Sequence, residues 1–310
     1  MRKLIIDTDP GVDDAMMILA ALRAPELDVI GLTTVFGNCP VEIGTQNALR
    51  LLELEGHGDI PVSKGCGKAL VVPLGEFPAN VHGDDGLGNA SFEAPKGKPL
   101  ARHAAQFIID TCKAFPGEVT LAPIGPLSNI GLALQLCPEL PKYVREVVIM
   151  GGSCYAGGNI SPVAEANIYH DPHAADMVFR ADWPVVMVGL DVTQQIVMDN
   201  SFLNKLYAAQ TPATDFLKRI QPLYQAFHAN IYGFTAGEIH THDPSVTAYL
   251  VKPDLFGTLE TPVHVETNGR CMGFTIADPL KQWGERRAAK VCTRVNAEGV
   301  KNLLYDLLAR

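Results

Sequence analysis

The stretch Lys3-Leu4-Ile5-Ile6-Asp7-Thr8-Asp9-Pro10-Gly11-Val12-Asp13-Asp14, running directly into an apolar segment at 15–22, decides how the rest of the chain is read. Leu4, Ile5 and Ile6 form a short continuous apolar run of the kind a buried strand carries. Pro10-Gly11 punctuates a turn, and the segment from Asp13 onward has the length and composition of a helix. Asp7, Asp9, Asp13 and Asp14 therefore gather at the carboxyl end of a strand. In open α/β sheets ligands bind at that edge, and a helix starting near Asp13 directs its free N–H groups and positive dipole end to the same place. Capping accounts for Asp13 or Asp14 taken singly, but for neither Asp7 nor Asp9. Carboxylates packed beside an apolar strand repel one another and raise their own pKa values unless a cation neutralises them. The donors are all oxygen, with no Cys or His inside the cluster, so the expected cation is a hard one, Ca²⁺ or Mg²⁺, rather than zinc.

Two other acidic motifs are tested by spacing. An EF-hand loop counted from Asp7 would need Gly at position 12 and Glu at position 18, which hold Val12 and Ile18. A phosphohydrolase of the haloacid dehalogenase type also begins strand-Asp-x-Asp, with Asp7 as nucleophile and Mg²⁺ as its metal. Its usual Thr or Val two places after the second Asp is Gly11 here, and no basic residue is evident for a phosphate. A non-catalytic Ca²⁺-dependent nucleoside or sugar binder is the third reading, and it needs neither a carboxylate base nor a histidine.

The whole chain of 310 residues, 47% hydrophobic, alternates strand and helix signals without a linker, which favours one large α/β domain over 1–310. A formal net charge of −9 argues against nucleic acid or an anionic membrane as partner and suits a neutral or cationic small molecule. Seven cysteines with no Cys-x-x-Cys pair fit reduced thiols better than a disulfide framework. Arg2 and Lys3 precede too few apolar residues for a signal-peptide core, and no apolar run has the length of a membrane span, so the expected location is the cytoplasm.

Further polar groups recur at strand ends. A strand over 28–36 ends at Gly37-Asn38, and one over 144–150 ends in Met150 before Gly151-Gly152. The Gly/Pro/Asn/Asp-rich stretch 73–99 holds His82 and reads as a surface excursion or a binding loop. Residues 157–167 carry Asn159, Glu165 and Asn167, and 184–190 reads as a continuous apolar strand. Asp171-Pro172 and Asp243-Pro244 both have the pattern of an N-cap followed by proline at the first helical position. The aromatics Phe216, Tyr224, Phe227, Tyr232 and Phe234 lie in a mainly helical region, 201–234, and read as core packing.

The order Asp-Thr-Asp-Pro-Gly-Val-Asp-Asp after an N-terminal strand closely resembles the signature of the inosine-uridine-preferring nucleoside hydrolases, and the later motifs come in that family's order. The resemblance implies a mostly parallel, Rossmann-like central sheet flanked by helices. It also implies Ca²⁺-dependent hydrolysis of the N-glycosidic bond of ribonucleosides to ribose and free base, in nucleoside salvage. It places Ca²⁺ on the carboxylates of Asp9, Asp14 and Asp243 and on the backbone carbonyl of Ile124, a position where the family often has Thr. Asp9 then serves as the base that activates water. Asp13, Asn38 and Asn167 correspond to partners of the ribose 2′- and 3′-hydroxyls, Asn159 and Glu165 hold the 5′-hydroxyl, and Met150 lies against the sugar. His242 matches the acid that protonates the leaving base in the histidine-containing branches, which points to uridine, cytidine and inosine; His240 is the alternative acid. His82 matches a second active-site histidine, Tyr232 a base-pocket aromatic, and a homo-oligomer, dimer or tetramer, is implied.

Overall fold

In the computed structural model, which describes residues 1–234 and 237–310, the opening stretch forms β1 (Arg2–Thr8) and α1 (Val12–Leu22). The alternation continues through β2 (Leu27–Thr34), α2 (Val41–Leu54), β3 (Val62–Lys64), α3 (Ala79–His82), α4 (Ala104–Ala114) and β4 (Val119–Pro123). Next come α5 (Ser128–Leu136), β5 (Val144–Met150), α6 (Ala166–His170), α7 (Pro172–Arg180), β6 (Val185–Val188), α8 (Leu190–Thr193) and β7 (Val197–Met198). The remainder is α9 (Asn200–Tyr207), α10 (Pro212–Tyr232), β8 (Ile239–His240), α11 (Pro244–Val251), β9 (Phe256–Thr261), β10 (Val263–Val265), β11 (Thr275–Ala277), β12 (Ala289–Val295) and α12 (Ala297–Leu308).

Eight strands make the central sheet in the order β3-β2-β1-β4-β5-β6-β12-β9. Every pairing is parallel except β12 with β9. From β1 the chain winds outward to β2 and β3, then returns to the other side of β1 with β4 and winds the opposite way. The order reverses between β1 and β4, and the crevice beyond their carboxyl ends is the place where a doubly wound sheet receives a ligand. The continuous apolar runs follow from burial on both faces. Leu4 and Ile6 join Val148, Met150, Val186 and Val188 beneath α1, α10, α11 and α12. Ile5 points the other way, with Val147, Ile149, Val185 and Met187, beneath α4, α5 and α7. Each of these fully buried side chains contributes about 1.5–3 kcal/mol.

The expected elements differ from the observed ones at a few ends. The strand read at 184–190 is shorter, Val185–Val188; Gly189 then passes so close to the Gly152 carbonyl that a Cβ would lie 2.4 Å from that oxygen, and α8 begins at Leu190. The stretch 73–99 is not wholly irregular, since α3 sets His82 in its last turn. Asp171 caps α7 as its sequence suggests, its carboxylate accepting the Ala174 N–H at 3.0 Å. Asp243 does not repeat this: its backbone is already helical and its carboxylate makes no cap bond, so the capping reading fails there.

Asp7 shares the face of Ile5. Its Oδ1 accepts from the Thr33 hydroxyl at 2.6 Å and the Asn129 amide at 2.8 Å, pinning β1 to β2 and to the start of α5. Burial pushes its pKa up to about 7. An Asp7→Ala substitution leaves two buried donors without their acceptor, and urea unfolding is expected to show a loss of about 2–4 kcal/mol.

Candidate active site

The turn after β1 brings Asp9 and Pro10-Gly11 to the carboxyl edge of the sheet, and α1 carries Asp13 and Asp14 in its first turn. Asp9 is buried with its Oδ2 accepting the Asn38 N–H at 2.7 Å, while Oδ1 has no partner among the described residues. Room for this carboxylate depends on missing side chains. A Cβ on Gly37 would lie 1.9 Å from Oδ2, and one on Gly125 would lie 2.4 Å from Oδ1. Asp14 accepts from the Thr8 hydroxyl at 2.6 Å, the Gly11 N–H at 3.0 Å and the Asn38 side-chain amide at 2.8 Å. Asp13 accepts from the Tyr224 hydroxyl at 3.2 Å, and its Oδ1 is left without a hydrogen bond.

Asp13, Asp14 and Asp243 each present a carboxylate oxygen within 4.8 Å of the others. The trio therefore includes Asp13, expected among the sugar contacts, and not Asp9, expected as a metal ligand. Asp9 still belongs to the same charged neighbourhood. Burial first, and then repulsion from Asp14 and Asp13, drive its pKa well above the usual carboxylate range. Asp243 is raised likewise, by burial and then by Asp13, Asp14 and Asp9.

Over these strand ends opens a cleft of about 320 Å³. Asp13, Asn38, Ile124, Met150, Asn159, Glu165, Asn167 and Asp243 line it, and Asp9 and Asp14 are buried behind that wall. Glu165 caps α6, accepting the Asn167 and Ile168 N–H groups at 2.9 and 3.2 Å, and it also accepts from Gly152 N–H at 2.8 Å. It is held in place by the fold. Asn167 donates its amide to the carbonyls of Ile124 at 2.9 Å and Met150 at 3.1 Å, joining the ends of β4 and β5 and leaving its Oδ1 for a ligand hydroxyl. Asn159 accepts the Ala166 N–H at 3.0 Å.

The opposite wall is aromatic. His82, His242 and Tyr232 lie on it as expected, and α10 adds Tyr224, Phe227 and His228. His82 Nδ1 accepts the Val12 N–H at 3.2 Å, and burial lowers its pKa to about 4, so it is neutral with its proton on Nε2. His242 Nδ1 is 2.9 Å from the Thr193 hydroxyl, and burial holds its pKa well below the ordinary value. His240 packs edge-on against Tyr232, with centroids 4.8 Å apart, and is not part of the cleft wall.

The reading of the α10 aromatics as core packing holds for Phe216, which is stacked on Phe92 at 4.6 Å. Tyr224 is buried in the core and also reaches the cleft, whereas the reading fails for Phe227 and Tyr232, which are partly exposed and line the cleft. His228 was not singled out by the sequence at all. Its signal is the spacing 224, 227, 228, 231, 232, which puts these residues on one face of a helix. Asp7, the nucleophile of the phosphohydrolase reading, faces β2 and α5 and does not line the cleft.

A family model described as inosine-uridine preferring nucleoside hydrolase matches residues 4–302. The chain belongs to that family. This nucleoside hydrolase is 39% identical over 318 residues to the probable uridine nucleosidase 2 of Arabidopsis thaliana, covering 99% of this chain and 97% of that one. Among solved structures, a plant nucleoside hydrolase matches with a TM-score of 0.96 and 37% identity over 99% of both chains. A purine-preferring ribonucleoside hydrolase from Gardnerella vaginalis matches at 0.93 and 34% identity, over 99% of this chain and 98% of that one. The nucleoside hydrolase fold and the ribonucleoside as substrate class are thereby fixed for this enzyme. Within it, Gly125→Ala forces the Asp9 carboxylate aside, and steady-state assays should show kcat/KM reduced on the order of 10²-fold in a variant of unchanged circular dichroism.

Proposed function

We propose that this nucleoside hydrolase requires Ca²⁺ and releases ribose from uridine, cytidine and inosine, as an enzyme of nucleoside salvage. The observation that carries the reading is the division of one cleft into an oxygen-rich wall with buried, mutually repelling carboxylates and an aromatic wall with neutral histidines. The carboxylate wall suits a hard cation. All its donors are oxygen, and Oδ1 of both Asp9 and Asp13 is buried without a partner. Asp9, Asp14, Asp243 and the Ile124 carbonyl would hold the ion, with Asp13 close enough to Asp14 and Asp243 to be a further ligand. When bound there, Ca²⁺ supplies charge neutralisation and lowers the pKa of a water molecule it holds.

The chain's own groups account for the remaining requirements of N-ribosidic cleavage, which passes through an oxocarbenium-like ribosyl cation. The free Oδ1 of Asp9 takes the proton of the attacking water. Asp13, Asn38 and Asn167 hold the 2′- and 3′-hydroxyls, and Asn159 and Glu165 hold the 5′-hydroxyl. These contacts let binding energy fix the ring in a strained shape, so 2′-deoxynucleosides are poor substrates. On the opposite wall His242 is the group proposed to give its proton to the departing base, which requires the tautomer in which the Thr193 hydroxyl donates to Nδ1 and the proton lies on Nε2. His82, also an Nε2–H tautomer, supplies a second donor on that side.

The seven cysteines are all free thiols, which supports a reducing compartment, and the cytoplasm is the proposed location. Among the described residues no helix is long and apolar enough to cross a membrane. A homo-oligomer is proposed from the family, and light scattering at working concentration should give a dimeric or tetrameric mass; a monomer would refute it.

A reducing-sugar assay on uridine, cytidine, inosine and adenosine tests the function. Ribose should appear from the first three, disappear after chelation and return with added Ca²⁺. Asp14→Ala and His242→Ala are expected to lower kcat by at least about 10²-fold. Ribose production that withstands thorough chelation would remove the metal from the proposal.

A further inference from the structure

We infer that His228 recognises a nucleobase that bears an N–H donor, accepting its hydrogen bond through Nε2. His228 is 1% exposed, sits on the aromatic wall of the cleft, and holds its Nδ1 2.9 Å from the Tyr224 carbonyl oxygen. A carbonyl oxygen only accepts, so the Nδ1 atom carries the hydrogen. Burial brings the pKa of the ring to about 4, and at neutral pH it therefore has no second proton. Nε2 is left with a bare lone pair.

That lone pair is buried and makes no hydrogen bond among the described residues. The neighbouring rings that carry a polar hydrogen are Tyr224 at 4.4 Å, Tyr232 at 5.4 Å, His240 at 5.5 Å and His242 at 6.5 Å, and among the described residues none donates to it. A buried acceptor without a partner costs about 1–3 kcal/mol, a cost that a ligand bearing a donor removes. The inference rests on the nucleoside hydrolase reading of the cleft. The sugar hydroxyls are matched by the carboxylates and amides at the ends of β1, β4 and β5, and the wall formed by α10 is left for the base. The group that meets His228 is then an N–H of the base: a ring N–H, as in uracil or hypoxanthine, or an exocyclic amine, as in cytosine or adenine. The favoured substrates are ribonucleosides whose base offers that donor.

The test uses two substrate pairs in which the base loses its donor: uridine against 3-methyluridine, whose N3 carries no hydrogen, and cytidine against 2-pyrimidinone riboside, which lacks the exocyclic amine. Each is measured as kcat/KM with the wild-type enzyme, with His228→Phe, which keeps an aromatic ring without Nε2, and with His228→Gln, whose amide oxygen can accept. Comparing the natural-to-analogue ratio between wild type and variant cancels intrinsic differences between leaving groups. In at least one pair the ratio should be about tenfold larger in the wild type than in His228→Phe, and His228→Gln should recover part of it. A purely structural role for His228 lowers both members of a pair alike, and equal ratios in wild type and His228→Phe for both pairs overturn the inference. Thermal melts confirm that both variants are folded; if His228→Phe is not, His228→Leu, which likewise has no acceptor, takes its place, and equal ratios in wild type and His228→Leu for both pairs overturn the inference as well. If the wild type releases no ribose from either natural substrate, the proposed substrates fail instead.

Discussion

The crowding of like charge at one edge of the sheet is the constraint to which the surrounding structure answers. Asp9, Asp13, Asp14 and Asp243 are collected at the crevice where the strand order reverses, and each has its pKa raised first by burial. The fold offsets part of that cost with donors. The Thr8 and Tyr224 hydroxyls, the side-chain amide and backbone N–H of Asn38 and the Gly11 N–H before α1 all point at these carboxylates. The donors do not cover every oxygen, and the oxygens left over are those a cation can use.

The central architecture was legible because burial leaves a plain trace in the sequence. A parallel sheet covered on both faces needs runs such as Leu4-Ile5-Ile6, and the turn chemistry of Pro10-Gly11 sets the acids at the strand end. On the oxygen-rich wall Asn38 stood out for a like reason, as a polar residue at a strand end, whereas Asn159, Glu165 and Asn167 formed a dense polar loop whose roles came only from its resemblance to the family's. The aromatic wall was not legible. Tyr224, Phe227 and His228 lie within a long helix whose amphipathic pattern looks the same whether its apolar face meets a core or a cleft. Asp243 was ambiguous for a similar cause: Asp-Pro at a helix start has the same sequence whether the carboxylate turns back onto the helix or away from it.

The histidines of the cleft illustrate how a fold can set chemical character without charge. His82 receives a backbone N–H at Nδ1, whereas His228 gives its Nδ1 hydrogen to a backbone carbonyl. The same residue type thus presents a donor at one place on the wall and an acceptor at another. Both assignments come from main-chain partners, which side-chain substitution elsewhere leaves in place.

The bond from the Tyr224 hydroxyl to Asp13 crosses from the helix that lines the aromatic wall of the cleft to the helix that carries the acids. One turn later in the same helix, the Tyr224 carbonyl fixes the tautomer of His228. A lineage drifting toward a different base by altering α10 would therefore disturb the sugar end as well. Changes of diet in such an enzyme should arrive as coordinated sets of replacements in α10 and in the first turn of α1, rather than as single steps.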